Sequence, residues 1–426
     1  MNSIILAIVL ISLILLAIPI PIAMGIASLV VFLFGDYPLY IIPQKLIATS
    51  SRWTLLALPF FIMAGGLMNE LQLTDRLFKF ARLFVGHIKG GLAHVNVVAS
   101  MIFAGISGSA TADIAGLGKI ELKAMSDAGF SKEVSVGITV ASSVVGPIIP
   151  PSVAFILYGV IAEVSIARLF LAGLFPGILI GISLMITTYF LAVKNPNKYP
   201  TEKRAKLKEF PETFKSAILA VNAPILILLG MTTGIISPTE AGAGAAIYSM
   251  FVGVIYKTIS WKIIWKTIKI SMLQSSYAML LVALASVMGY IITYERTPQL
   301  IIATFGKIVT SYWSVLLLCD ILFLIIGCFM SATASLILLT PILLPIITKA
   351  GVDPVHFGVI ISYALHIGIA TPPVGMGLFI ITDIAEISFN KAAKATLPYL
   401  IPLIISLFII TYFPALCLWL PNLLIG

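Results

Sequence analysis

Long apolar runs alternate along the chain with short interruptions rich in proline, glycine and small polar residues. The runs cover about 2–18, 22–35, 52–69, 132–162, 168–193, 217–236, 239–256, 270–292, 355–386 and 397–424. A helix of roughly 20 apolar residues crosses the hydrocarbon core of a bilayer, so most of these runs predict membrane spans. The first two are short and flank Pro19-Ile20-Pro21, which reads as two short segments or one bent helix. Two further stretches, about 91–127 and 312–349, are apolar at both ends and polar in the middle. Gly105-Ile106-Ser107-Gly108-Ser109-Ala110-Thr111 breaks one, and Gly327 to Ser331-Ala332-Thr333 breaks the other. Each predicts a re-entrant helical hairpin.

The two breaks belong to an internal repeat. Ser109-Ala110-Thr111 returns as Ser331-Ala332-Thr333, an offset of 222. At the same offset Gly105 falls on Gly327, Gly129 on Gly351, Gly146 on Gly368, Pro150-Pro151 on Pro372-Pro373 and Pro176 on Pro398. Ala162-Glu163-Val164-Ser165 returns as Ala385-Glu386-Ile387-Ser388, one residue out of step. Two halves, 1–193 and 216–426, are therefore expected, joined by a charged linker over 194–215. Five spans and one re-entrant hairpin per half make the second half run inverted relative to the first. The expected fold is an all-α polytopic membrane protein, an inverted repeat with discontinuous helices at matching places. That is the sequence pattern of secondary transporters.

Composition and charge sharpen this. Of 426 residues, 60% are hydrophobic and 10% charged, and the mean hydropathy is +1.12. So much apolar surface excludes a soluble enzyme, a disordered chain and a disulfide scaffold. The net charge of +9 is a topology signal: 70–90, 119–132, 194–215, 257–269 and 391–394 carry 20 Lys/Arg, whereas the opposite side carries 6. The positive-inside rule makes the first side cytoplasmic, with both termini periplasmic, and leaves no basis for nucleic-acid binding. No basic residue precedes Lys45, so the first segment is expected to be retained rather than cleaved as a signal peptide. Cys319, Cys328 and Cys417 lie in apolar runs and are read as small packing residues. The four histidines make no ligand spacing and are also read as packing or interfacial residues, and no ATP-binding loop occurs.

The candidate chemistry sits in the breaks. Non-helical backbone survives at membrane depth only against protein or a wet cavity. Ser107, Gly108, Ser109 and Thr111, with Gly327, Ser331 and Thr333, offer hydroxyls and carbonyls in flexible turns. The double prolines in Gly146-Pro147-Ile148-Ile149-Pro150-Pro151-Ser152 and in Gly368 to Ala370-Thr371-Pro372-Pro373-Val374-Gly375 stop one helix and start another. Free carbonyls before each break suit Na⁺, and free N–H groups after it suit a carboxylate. Candidate cation ligands are thus Ser107, Ser109, Thr111, Gly146, Pro150, Gly327, Thr333, Gly368, Ala370, Thr371 and Gly375, in at least two Na⁺ sites. Candidate substrate contacts are Ser107, Gly108, Ser152 and Ser331. Asp113 and Asp320 are intramembrane carboxylates, and Glu240 reads as a helix cap. The segments 72–89 and 295–311 are amphipathic and read as interfacial arm helices.

These motifs, together with Leu157-Tyr158-Gly159, Ser237-Pro238-Thr239-Glu240-Ala241 and Asp353-Pro354-Val355-His356-Phe357-Gly358, resemble the large membrane subunit of TRAP transporters, the tripartite ATP-independent periplasmic transporters. The similarity runs over essentially the whole chain and extends, more distantly, to divalent anion/sodium symporters. The resemblance implies an elevator-type, Na⁺-driven importer of organic acids such as sialic acid or a C4-dicarboxylate. It implies two partners, a small four-helix membrane subunit and a periplasmic substrate-binding protein, in a bacterial inner membrane. By resemblance, Ser107 and Ser152 fall at the substrate, and the hairpin tips and Pro-Pro breaks at Na⁺. In many members of that family an Asp stands where this chain has Ser331. Alternative expectations are a stand-alone dicarboxylate symporter or exchanger, or a channel or scaffold.

Overall fold

The computed structural model of the chain describes residues 2–35, 37–71, 73–201, 210–305 and 311–425. Parts of the expected linker (202–209) and of the second arm (306–310) lie outside the described residues. Among the described residues there are twenty α-helices, two short 3₁₀ turns and no strand. Seven of those segments are long and apolar enough to cross a membrane. Large apolar side chains such as Leu15, Phe34, Phe190, Ile235, Ile247 and Ile401 are exposed around the outside. On a soluble protein such a surface would aggregate; against lipid chains it costs nothing.

The helices fall into two groups. A frame consists of Asn2–Leu15, Ile20–Phe34, Ile41–Ser50, Ala57–Glu70, Phe210–Thr232, Pro238–Ile255 and the long Trp261–Tyr294, with Ala57–Glu70 packed most extensively on Pro238–Ile255. Inside the frame, Asn2 Nδ2 donates to Glu295 Oε1 at 3.0 Å, and the Tyr37 hydroxyl donates to the same oxygen. The first two segments are separate helices, divided by Ala17 at φ 57° and an extended Pro19. Ser237 and Glu240 form a reciprocal capping box, which gives Glu240 the capping role expected for it.

The second group holds both hairpins and both broken helices. The first hairpin is Gly91–Ser107 and Ala110–Asp127; the second is Tyr312–Phe329 and Ala332–Lys349. The run expected over 132–162 is two helices, Lys132–Ser143 and Val153–Ala162, and that over 355–386 is Pro354–Ile369 and Met376–Ala385. Pro150-Pro151 and Pro372-Pro373 are both cis. The expected run 397–424 also divides, into Phe389–Tyr412 and Ala415–Leu424, because Pro414 cannot supply the N–H that would continue the first helix. The amphipathic helix Leu73–Val85 and the helix Thr297–Phe305 lie in the two expected arms and connect frame and inner group.

A set of buried polar side chains ties parts of the inner group together. Asn96 Nδ2 donates to Glu121 Oε2 and to Thr139 Oγ1, both at 2.7 Å, and Ser142 Oγ donates to Asn96 Oδ1 at 2.7 Å. These bonds pin both arms of the first hairpin to Lys132–Ser143. The Tyr158 hydroxyl donates to the Pro354 carbonyl at 2.6 Å, joining the two broken helices.

Close backbone contact does the same for the second hairpin. A Cβ on Gly368 would lie 2.2 Å from the Gly327 carbonyl carbon, so the two helices cross with their backbones touching. Gly368→Val should therefore destabilise the protein by about 1–3 kcal/mol or prevent folding. Gly244→Ala, where a Cβ meets nothing within 4 Å, should leave the thermal unfolding midpoint in detergent unchanged.

Candidate functional site

The first hairpin turns at Gly108, which sits at φ 58° and ψ 19° in the left-handed region. Its N–H donates to the Ala104 carbonyl, closing one arm. Ser109 then caps the other: its hydroxyl accepts from the Ala112 N–H at 3.4 Å and lies 3.2 Å from the Thr111 hydroxyl. Ser107 ends the first arm, and its hydroxyl receives a long contact from the Ser109 N–H at 3.5 Å.

The tip rests directly on the first double-proline break. The Val153 N–H donates to the Gly108 carbonyl at 3.3 Å, and a Cβ on Gly108 would lie 2.5 Å from the Pro151 carbonyl oxygen. Only glycine fits there. Gly146 lies beside Ser109 and Ala110, and the Pro150 carbonyl faces Gly105, so the break and the hairpin form one unit. Ser152 is fully buried and caps Val153–Ala162: its hydroxyl accepts from the Phe155 N–H at 3.2 Å and donates to the Pro147 carbonyl. It holds the break together and lines neither cavity described below. Its expected direct contact with substrate is not what this arrangement offers.

The second half repeats this construction with variations. Ser331 caps its hairpin arm by accepting from the Ala334 N–H at 3.3 Å. The Gly375 N–H donates to the Cys328 carbonyl at 3.0 Å, tying the second break to the second hairpin. Gly375 adopts φ 55° and ψ 87° and starts Met376–Ala385 with no side-chain cap. The Thr371 hydroxyl donates to the Ile367 carbonyl at 2.7 Å, leaving its lone pairs free, and Ala370 is the buried C-cap of the preceding helix. Gly327 and Gly368 cross with their backbones in contact.

The two tips meet. Ser109, Ala110 and Thr111 face Ser331, Ala332 and Thr333 across a niche of about 120 Å³ that is also lined by His366, Ile369 and Met376. Ser109 and Thr111 also line a larger cavity of about 550 Å³, with Ser107 beside them and Asn69, Thr267, Ser271 and Gln274 of the frame opposite. Niche and cavity share Ser109 and Thr111 in their walls. The helix starts at Ala110 and Ala332 both line the niche, a setting for an anion. The hydroxyl and carbonyl oxygens around it suit a hard monovalent cation better than a soft metal. Among the described residues no cluster of His, Cys, Asp and Glu could hold a metal ion.

Residues 7–416 match the model of the tripartite ATP-independent periplasmic transporter, DctM component. The chain belongs to this family. It is 40% identical, over 90% of each chain, to the sialic acid TRAP transporter large permease protein SiaM of Vibrio cholerae. It is 36% identical to the C4-dicarboxylate TRAP transporter large permease protein DctM of Pseudomonas aeruginosa, over 93% of this chain and 92% of that one. In fold it is similar to the YdaH transporter of Alcanivorax borkumensis, with a TM-score of 0.65 and 14% identity over 88% and 87% of the two chains. The DctM-family chain is thus a polytopic membrane permease and not an enzyme.

Asp113 and Asp320, read from the sequence as intramembrane carboxylates, are buried at 2% and 0% exposure. The Asn96–Glu121–Thr139–Ser142 network escaped the sequence reading, and His366, read there as a packing or interfacial residue, lines the niche. At the repeat offset of 222 these positions pair with apolar residues: Asn96 with Leu318, Glu121 with Leu343 and His366 with Val144. Polar departures from an otherwise apolar repeat were the available signal. For the tip itself, Gly108→Ala should pry the hairpin from the break, lowering stability in thermal unfolding by about 1–3 kcal/mol. Ser152→Ala, losing one cap, should cost about 1 kcal/mol.

Proposed function

We propose that this chain is the permease of a Na⁺-coupled importer of organic acids, in which the acid binds between the two hairpin tips. The observation that carries the reading is the meeting of the duplicated Ser-Ala-Thr tips at one cavity. The carboxylate is drawn to the N-terminal turns after Ser109 and Ser331, where free N–H groups and hydroxyls donate to it. Ser107 and Gly108 frame this position, and Ser152 acts by keeping the break seated on the tip. Coupling cations are held in at least two places by carbonyl and hydroxyl oxygens of the tips and breaks. Relatives named for sialic acid and C4-dicarboxylates support a carboxylate as the cargo. The name of the family supports two further components, a small four-helix membrane subunit and a periplasmic binding protein that delivers substrate.

In this reading the halves 1–193 and 216–426 are inverted, the membrane is the bacterial inner membrane, and both termini are periplasmic. The inner group moves as an elevator against the frame. The Arg52–Glu163 ion pair at 2.7 Å, with Arg52 Nη1 also donating to the Val160 carbonyl at 3.0 Å, joins frame to inner group and must break when it moves.

Two experiments decide it. Cysteines at Ile425 and Lys203 should react with impermeant maleimide from opposite faces; labelling from one face contradicts the topology. In proteoliposomes carrying the chain with its small subunit and binding protein, uptake of N-acetylneuraminate or a C4-dicarboxylate should need a Na⁺ gradient. Ser107→Ala and Ser109→Ala should raise the half-saturating substrate concentration about tenfold or more, one charge-assisted hydrogen bond each. Uptake without binding protein would favour the stand-alone symporter, and uptake indifferent to Na⁺ would refute the coupling.

A further inference from the structure

The niche between the tips contains one side chain that no capping or packing role explains. His366 lies two residues before Gly368 on Pro354–Ile369 and is 5% exposed. Its Nδ1 is 2.6 Å from the Ser362 carbonyl. A carbonyl oxygen can only accept, so Nδ1 carries the proton of that bond and the ring is fixed to its own helix. In the neutral ring Nε2 then holds the lone pair. Nε2 has no hydrogen-bond partner among the described residues, yet it keeps accessible surface, and the residue lines the 120 Å³ niche. An acceptor in the interior of a membrane protein with nothing to accept from is costly unless something arriving satisfies it.

The chemistry of its neighbours narrows what arrives. The other polar groups of the niche are the hydroxyls of Ser109, Thr111, Ser331 and Thr333, and no charged side chain lines it. Hard cations take oxygen in preference to imidazole nitrogen, so a Na⁺ site would draw on the hydroxyls and leave Nε2 unused. A carboxylate would take the N–H groups of the two helix starts and likewise leave a lone pair unpaired. A hydroxyl or N–H donor on the body of the carried acid fits Nε2 directly.

We propose that His366 is a specificity-determining residue that accepts a hydrogen bond from a hydroxyl or N–H group of the carried acid, selecting hydroxylated or amidated carboxylates over bare ones. This rests on the reading that the acid binds between the tips, and it adds the polar class of that acid. The asymmetry of the repeat agrees: the corresponding first-half residue is Val144, so only the second half supplies such an acceptor.

The test is binding of three acids to the purified full-length chain in nanodiscs by calorimetry: N-acetylneuraminate, malate and succinate. Malate and succinate differ by a single hydroxyl. The wild type should favour the better hydroxylated acid over succinate by about tenfold or more, one hydrogen bond to a buried acceptor. His366→Phe should remove that preference by weakening the hydroxylated acid, with succinate affinity held within about twofold. His366→Gln, which keeps an acceptor, should retain part of it. Equal weakening of all acids in His366→Phe, or an unchanged preference, overturns the proposal while leaving the site between the tips in place. If the wild type binds none of the three acids but Ser107→Ala still alters Na⁺-dependent stabilisation, the organic-acid reading itself fails and this inference falls with it.

Discussion

Lipid cannot hydrogen-bond a peptide group, and the rest of this structure follows from that constraint. Four interruptions of helix lie inside the fold, two hairpin tips and two double-proline breaks, and each exposes N–H and carbonyl groups. They are closed in pairs. The first tip accepts from the helix that restarts after Pro151, and the second hairpin accepts from the Gly375 N–H after Pro373. Serine caps at Ser109, Ser152 and Ser331 satisfy the next N–H groups. Because the breaks can only be stable together, they converge, and convergence makes a small polar cavity in an apolar molecule.

The same economy divides the molecule. Hydrogen bonds and backbone-to-backbone glycine contacts hold hairpins and broken helices to one another, as at Gly327–Gly368 and in the Asn96 network. Between this inner group and the frame, Gly65 packs against the backbone at Ile106 and Ser107, and Arg52–Glu163 forms an exposed ion pair. Exposed ion pairs contribute roughly 0–1 kcal/mol, so such a boundary is easily crossed. The 550 Å³ cavity lies on that boundary, at the place where relative movement would change access to it.

Most of this was legible in the chain. Apolar run length revealed the spans, and the duplicated Ser-Ala-Thr and Pro-Pro motifs revealed the hairpins and broken helices, because a break in lipid must be written in glycine, proline and small polar residues. The helix end at Pro414 was less legible, since an apolar run reads the same whether one helix or two fill it. Ser152 was read as facing substrate, but a hydroxyl in a helix-starting turn serves as a cap just as well, and only its proximity to the Pro147 carbonyl distinguishes the two. His366 and the Asn96–Glu121 pair were illegible by motif because they occur in one half alone. Asn96 finds its partners on the second hairpin arm and on Lys132–Ser143, whereas His366 bonds within its own helix.

The central claim is that the two tips move as one body relative to the frame. Disulfide trapping in a background with Cys319, Cys328 and Cys417 replaced tests it most directly, using Thr111→Cys with Thr333→Cys inside the inner group and Arg52→Cys with Glu163→Cys across the boundary. The account predicts that oxidising the cross-boundary pair stops uptake reversibly, with reduction restoring it, while joining the tips leaves the exchange of facing states intact by accessibility labelling. Uptake that continues with Arg52 and Glu163 positions cross-linked would contradict it.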